Sequence, residues 1–288
     1  MKIGFIGAGK AGCSIGKYLS DSAYNTSNIV TGYHSLIEEE AGWAAKFTDS
    51  EMFDTPDDVL QASDSIIIST PDGAVKKVWD GLNKELIKDR IICHLSGSLS
   101  SDVFSGIEEY GGYPISIHPL FAFSDKESAY KELNNVCFTL EGHPYAVSMW
   151  KQCLNAYGNK TVEISKDMKH KYHAAASVLS NHVIAVLETG YQLLIECGFD
   201  EEQARHYTSS LVRDNVEHVI KDGTVKALTG PIERNDIDTV KKHLDVLNEE
   251  QKLLYKICGS IITDISKNKN SDRDYGKISE LLNLNNMS

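Results

Sequence analysis

Five polar residues recur along the segment 170–188: His170, His173, Ser177, Asn181 and Glu188, spaced +3, +4, +4 and +7. On an α-helix turning about 100° per residue they fall within an arc of about 80°. Tyr172, Ala175, Leu179, Val183 and Val186 fall on the opposite side. Imidazoles, a hydroxyl and an amide on one stripe can hold a polar substrate and move a proton to it. Asn181 stands out, because asparagine is a poor mid-helix residue unless its amide has a hydrogen-bonding task. The bland alternative is a solvated face or a set of satisfied interface groups, and it suits Glu188 best. Farther on, the segment 228–236 (LTGPIERND) interrupts the helical pattern with a Gly-Pro turn and offers Thr229 and Arg234. Arginine is a natural bidentate partner for a substrate carboxylate. The same segment also reads as a turn whose Asn235 or Asp236 caps the next helix.

Such side chains need elements to position them. Residues 2–6 read as a short apolar strand, followed by Gly7-Ala8-Gly9-Lys10-Ala11-Gly12 and a helix over 10–19. This is GxGxxG between a strand and a helix, the context that makes it a pyrophosphate cradle. Gly7 permits the tight turn, Gly9 lets the backbone approach a phosphate, and Gly12 lets helix and strand pack closely. The helix start supplies unpaired N–H groups. Ala8, Lys10 and Ala11 complete this expected cofactor contact. Further strands are expected at 28–33, 65–70, 90–94 and 113–118, with a short one marked by Phe47 and Thr48. A helix starts at Thr55-Pro56, with the threonine as N-cap. Continuous apolar strands alternating with helices predict an α/β fold with a parallel, doubly wound sheet. Ligands on such sheets lie beyond the carboxyl ends of the strands. Thr70, Pro71, His94 and Ser96 sit at such ends and are expected to line a cofactor; His118 is a candidate proton donor.

The second strand, in NIVTGYHS (28–35), ends without a carboxylate. A carboxylate there would bind the ribose hydroxyls of NAD and repel a 2′-phosphate. Tyr33, His34 and Ser35 offer donors instead, which predicts NADP(H) over NAD(H). The turn has no Arg or Lys, and Glu38, Glu39 and Glu40 follow closely; both count against that preference.

After strands at 136–140 and 161–164, with a helix at 144–157 between them, the pattern becomes helical only. Helices are expected over 166–197, 201–221, 236–248 and 250–266. Short strands followed by an all-helical part predict two domains. They are a Rossmann domain over 1–160 and an all-α substrate and dimerisation domain over 161–288 with one long helix. Helices of mixed polarity rarely bury all their apolar faces alone, so a homodimer through the helical domain is expected.

Composition narrows the classes. A chain of 288 residues with 41% hydrophobic content can build a full core, and a net charge of −12 lacks the basic footprint that nucleic acid requires. The six cysteines are scattered without zinc spacing and read as reduced core thiols, with no metal site expected. The apolar stretch 178–195 is broken by Ser180, Asn181, His182, Glu188 and Gln192, so no membrane span is expected. With the first motif opening the chain and no signal peptide ahead of it, a cytoplasmic protein is expected.

GFIGAGKAG (4–12), HLSGSLSSDV (94–103), SIHPLFAF (116–123), HAAASVLSNHVIAVL (173–187) and LTGPIERND (228–236) together resemble a family of bacterial Rossmann proteins. Their C-terminal helical domain was long listed as of unknown function. The resemblance implies an NADP-dependent oxidoreductase, and some members are alternative ketopantoate reductases of pantothenate biosynthesis. The architecture is more distantly similar to ordinary ketopantoate reductases, pyrroline-5-carboxylate reductases, prephenate dehydrogenases and β-hydroxyacid dehydrogenases. Ordinary ketopantoate reductases carry Lys-x-x-x-Asn on the long helix with lysine as the proton donor. If Asn181 is that asparagine, Ser177 stands at the lysine position. Serine is a poor general acid near neutral pH, so His173, one turn back, or His118 becomes the expected donor. The expectation is therefore reduction of a small 2-oxo acid by NADPH. Asn181 and Ser177 would hold the carbonyl oxygen, and Thr229 and Arg234 would hold the carboxylate. Reduction of an imine or another oxo acid, and a non-catalytic NADP(H) sensor, are the alternatives.

Overall fold

A computed structural model describes residues 1–21 and 27–284. The chain divides into two compact units, Met1–Val178 and Leu179–Ser288.

The first unit is built on one eight-stranded sheet of order β3-β2-β1-β4-β5-β6-β7-β8. Its strands are β1 (Lys2–Ile6), β2 (Ile29–His34), β3 (Glu51–Met52), β4 (Ser65–Ile68), β5 (Ile91–His94), β6 (Tyr113–Pro119), β7 (Phe138–Gly142) and β8 (Thr161–Glu163). Helices α1 (Lys10–Leu19), α2 (Glu38–Thr48), α3 (Pro56–Ala62), α4 (Asp72–Gly81) and α5 (Pro144–Ala156) connect them, and α6 (Lys169–Ser177) follows β8. Alternation along the strands sorts the core into two layers. Ile3, Phe5, Ile67, Ile91 and Cys93 pack with Tyr18 and Trp150. Ile6, Ile66, Ile68 and Ile92 pack with Trp79 and Phe104 on the other face. Both faces of the sheet are therefore covered, which is why its strands read as unbroken apolar runs.

Two expectations need correction. The sheet is parallel through β6, but β7 runs antiparallel to β6, with Ile117 opposite Leu140. Only a 3₁₀ stretch, Ala129–Asn135, lies between these strands, and a pair without a helical crossover can meet antiparallel. Phe47 and Thr48 do not mark the third strand; they close α2. Phe47 stacks on Trp43 one turn back at 4.7 Å, and the Thr48 hydroxyl donates to the Ala44 carbonyl. The chain then turns at Asp49, in left-handed conformation, and the strand is Glu51–Met52. Thr55 caps α3 as expected, in a reciprocal capping box with Asp58.

The helix expected over 166–197 is not uniform. It comprises a 3₁₀ turn (Lys166–Met168), α6, a π-helical stretch (Val178–His182) and α7 (Val183–Glu196). The compact units divide inside the π stretch rather than at residue 160. The reason is local: α6 is tied to the sheet unit by Lys169, which bonds Ser96 just after β5 and Ser116 of β6, and by Tyr172, which bonds His118 of β6. A π turn advances each residue by less than an α turn does. The 100° projection that aligned Ser177 with Asn181 therefore does not hold.

The second unit contains α7, α8 (Glu201–Tyr207), α9 (Ser209–Asp222), α10 (Thr224–Ala227), α11 (Ile237–Val246), α12 (Glu249–Lys269) and α13 (Gly276–Leu281). Thr208 separates α8 from α9, where one helix was expected. Its core is small: Ile232, Val240, Leu244, Ile278 and Leu282. Neither α7 nor α9 buries a residue among those described. Ile184, Leu211, Ile220 and Ile261 are instead exposed. An apolar cavity of about 390 Å³ opens among Val186, Leu193, Leu254, Tyr255 and Ile262. By length and composition the stretch Lys166–Glu196 reaches what a membrane span needs, with a mean hydropathy of 1.2 over its best window. Core helices of soluble proteins pass the same test of length and composition.

Candidate active site

The first glycine loop has the geometry of a phosphate cradle. Gly7 has φ +107°, and a Cβ there would meet the Ser69 carbonyl carbon at 2.9 Å. A Cβ on Gly12 would strike the Ser69 side chain, whose Oγ donates to the Gly7 carbonyl at 2.9 Å. Above Gly9 the space is open, and α1 begins there without an acidic residue in its first turn. Thr70 adds a hydroxyl that is buried and has no hydrogen-bond partner among the described residues. Open space over a helix start and an orphaned hydroxyl at the end of β4 fit a dinucleotide phosphate.

Tyr33 does not belong to that cradle. It is 0% exposed, stacked on Phe5 at 4.8 Å, with its hydroxyl 3.5 Å from the Gly12 carbonyl beneath α1. Strand alternation turns it inward while its neighbour His34 turns outward. The Nδ1–H of His34 donates to the Phe53 carbonyl at 3.2 Å, so of that ring only Nε2 remains for a ligand. Ser35 Oγ accepts from the Ile37 N–H at 3.3 Å and keeps its own proton to give.

His94 is also corrected. It is fully buried, and both ring nitrogens brace the loop that follows: Nε2–H donates to the Ser100 carbonyl and Nδ1 accepts from the Ser96 N–H, each at 3.2 Å. Burial pushes its pKa down to about 4 against the Ser100 hydrogen bond, and the Lys169 charge adds to the depression. The imidazole is a structural brace and cannot reach a cofactor. Ser96 donates through Oγ to Asp72 at 2.6 Å, as Ser98 does at 2.9 Å. Asp72 stands in the first turn of α4, immediately after Pro71.

A polar cluster lies where β5 and β6 end against α6. Nδ1 of His118 lies 2.6 Å from the Tyr172 hydroxyl. The rings of His118 and His173 are perpendicular with centroids 6.2 Å apart. Both converge on Gly97: a Cβ there would lie 2.7 Å from His173 Nδ1 and 2.8 Å from His118 Nε2. Burial pushes the His118 pKa down to about 4, helped by the charges of Lys169 and His173. Lys169 is 1% exposed and donates to the Ser96 carbonyl at 2.9 Å and to Ser116 Oγ at 2.6 Å. Burial lowers its pKa to about 8, and Glu141 and Asp72 oppose the shift. Glu141 is itself held by the N–H and the hydroxyl of Ser101, both at 2.8 Å.

The structure thus brings His118, His173 and Ser96 together and adds Lys169, Tyr172, Asp72 and Gly97, which sequence reasoning missed. Helical spacing could have found two of them. Lys169 lies one turn before His173, and Tyr172 lies three residues after Lys169; the apolar-side assignment of Tyr172 concealed it. His170 is exposed and Ser177 half-buried. In the second unit, Asn181 is exposed, and its Oδ1 accepts from Ser180 Oγ at 3.1 Å. Arg234 is exposed and Thr229 borders the apolar cavity. Asp236 caps α11 through the Thr239 N–H at 3.1 Å. Among the described residues, no group of three or more His, Cys, Asp or Glu could hold a metal ion.

Comparison with known proteins agrees with this architecture. Residues 1–119 match the model of a Rossmann-like domain, and residues 136–262 match that of a domain of unknown function, DUF2520. No curated protein matches the chain. Among solved structures, a protein of Thermotoga maritima superposes with a TM-score of 0.73 at 22% identity, covering 93% of this chain and 99% of its own. A candidate NADP oxidoreductase of Bacteroides fragilis gives 0.68 at 19% identity, covering 91% and 98%. A reductive aminase of Aspergillus terreus, in complex with NADPH and ethyl-5-oxohexanoate, gives 0.65 at 11% identity, covering 98% and 99%. These likenesses establish the fold: a Rossmann-like domain followed by a helical C-terminal region.

Proposed function

We propose that this chain is an NADPH-dependent reductase of a small 2-oxo acid, 2-dehydropantoate (ketopantoate), which it converts to pantoate in pantothenate biosynthesis. The observation that carries the proposal is the convergence of His118 and His173 over Gly97 at the ends of β5 and β6. That is where a sheet of this topology places the reacting end of a ligand. The names of the Bacteroides and Aspergillus proteins support the cofactor. Residues 7–12 would hold its pyrophosphate and Thr70 would give it a hydroxyl, while His34 and Ser35 would meet a 2′-phosphate. NADPH supplies hydride when bound, and the protein supplies position and charge.

In this reading hydride reaches the carbonyl carbon and a proton reaches the carbonyl oxygen, giving the alcohol. His118, kept neutral, donates a hydrogen bond to that oxygen and does not supply the proton. His173, the more exposed imidazole, delivers the proton, with the Ser177 hydroxyl as a further donor. For the second unit the assignments rest on residue type and on the family resemblance alone: Asn181 for the carbonyl oxygen, Thr229 and Arg234 for the carboxylate. The exposed apolar residues of α7, α9 and α12 support a homodimer formed through the helical unit. The six unpaired cysteines support a reducing, cytoplasmic location.

Complementation tests the proposal. Expression in a bacterial strain lacking ketopantoate reductase should restore growth without pantothenate, and a His173→Ala variant should not. One observation favours a second reading, an imine as substrate. His118 is held neutral and Ser177 stands at the expected lysine position, a poor supply of protons that a protonated imine would not need. In that case cyclic imines, and not ketopantoate, would drive NADPH oxidation.

A further inference from the structure

Lys169 is a buried charge that the chemistry above does not use. The atoms it touches, Ser96 O and Ser116 Oγ, are neutral. Burying an ammonium is costly, and a methionine would fill the same space. A residue of this cost at the edge of a reaction site needs a local task.

We propose that Lys169 is a positioning residue: by clamping Ser96 to β6 it fixes the turn carrying Gly97, and its charge helps to keep His118, whose tautomer Tyr172 selects, a neutral donor over that turn. The proposal rests on the reductase reading of this site. Every polar atom of Ser96 is tied down. Its carbonyl accepts from Lys169 and from Ser116 Oγ, the latter at 3.2 Å; its N–H reaches His94 and its hydroxyl reaches Asp72. The next residue, Gly97, occupies the spot on which both imidazoles converge. A small displacement of this turn would move both imidazoles relative to any ligand above it.

The charge of Lys169 acts on His118 as well. A phenol is a far stronger proton donor than a neutral imidazole N–H, so at 2.6 Å the Tyr172 hydroxyl donates to Nδ1. The single ring proton is then on Nε2, the nitrogen that faces Gly97. The charged or titratable groups facing His118 are Lys169, His173 and Tyr172 from α6, His94 from β5 and Asp72 from α4. Only Asp72 favours a second proton on the ring. Burial, Lys169, His173 and His94 oppose it.

Nuclear magnetic resonance of the full chain labelled with ¹⁵N-histidine tests this without any substrate. In the wild-type protein His118 should be neutral, with its proton on Nε2, from about pH 5.5 to about pH 7.5. Lys169→Gln and Lys169→Met should raise its titration midpoint by about one unit, whereas Lys169→Arg should leave it low. In turnover assays the two neutral variants should lose about tenfold to a hundredfold in kcat with the KM for NADPH unchanged. An imidazolium on wild-type His118 at pH 7, or equal midpoints in wild type and both neutral variants, would overturn the proposal. If the neutral variants fail to fold, the wild-type titration alone decides. The expected titrations together with no turnover of any carbonyl compound would sink the reductase reading and leave the placement by Lys169 standing.

Discussion

The Tyr172 hydroxyl lies 2.6 Å from Nδ1 of His118, linking the middle of α6 to the end of β6. The hydrogen bond selects one imidazole tautomer and sends the remaining ring proton toward Gly97. Tyr172→Phe keeps the ring and removes the proton that holds Nδ1. Turnover should fall about tenfold to a hundredfold while the protein loses only about 1 kcal/mol of stability. Steady-state kinetics beside chemical denaturation checks both; equal kcat in the two proteins would remove the hydrogen bond from the account.

Gly97 leaves no room for a side chain. Gly97→Ala would place a carbon 2.7 Å from His173 Nδ1 and 2.8 Å from His118 Nε2. One imidazole or the turn must then move. A loss of about a hundredfold in kcat is expected, in a protein that still folds. Unchanged turnover would show that the two rings do not act there.

Acid should destabilise the protein in a defined window. In the folded state His94 and His118 have pKa values pushed from 6.5 down to about 4 by burial. Between these values the unfolded chain takes up protons that the folded chain refuses. The stability these residues contribute is therefore complete above about pH 6.5, falls as pH drops toward 4, and changes no further below that. Each is worth about 3 kcal/mol, as an order of magnitude. Urea midpoints at pH 7, 5 and 4 should fall in that order, and His118→Gln should flatten the fall. Equal midpoints at pH 7 and 5 would contradict it.

Cofactor preference now rests on His34 and Ser35, since Tyr33 is interior. NADPH should bind at least about tenfold more tightly than NADH, a difference of about 1.4 kcal/mol. Replacing both residues by alanine should erase most of that difference. Fluorescence titration with each cofactor is sufficient; equal affinities in the wild type would end the inference drawn from the missing carboxylate.

Much of the fold was legible because its signals are local. Gly7 to Gly12, the Thr55 cap and the unbroken apolar runs of β4 and β5 each state their structure within a few residues. The antiparallel β7 was not legible, since pairing direction depends on what lies between strands. The π stretch at 178–182 was hidden for another reason: Asn181 is unusual inside a helix, but residue type does not separate a π turn from an α turn, and only hydrogen-bond geometry distinguishes it. In the candidate site, His118 and His173 were readable as titratable groups at a strand end and on a helix. Lys169 and Tyr172 were not. A lysine reads as surface and a tyrosine as core until tertiary contacts place one beneath Ser96 and the other against His118. Tyr33 and His94 erred in the opposite direction, because strand alternation and loop bracing consumed polar groups that residue type alone offers to a ligand.

The most direct test of the central claim is the loss of NADPH absorbance when purified protein meets ketopantoate, with NADH in a parallel cuvette. Rapid oxidation of NADPH, slow or absent oxidation of NADH, and pantoate as the product are predicted. Tight NADPH binding with no oxidation by ketopantoate would contradict the assignment.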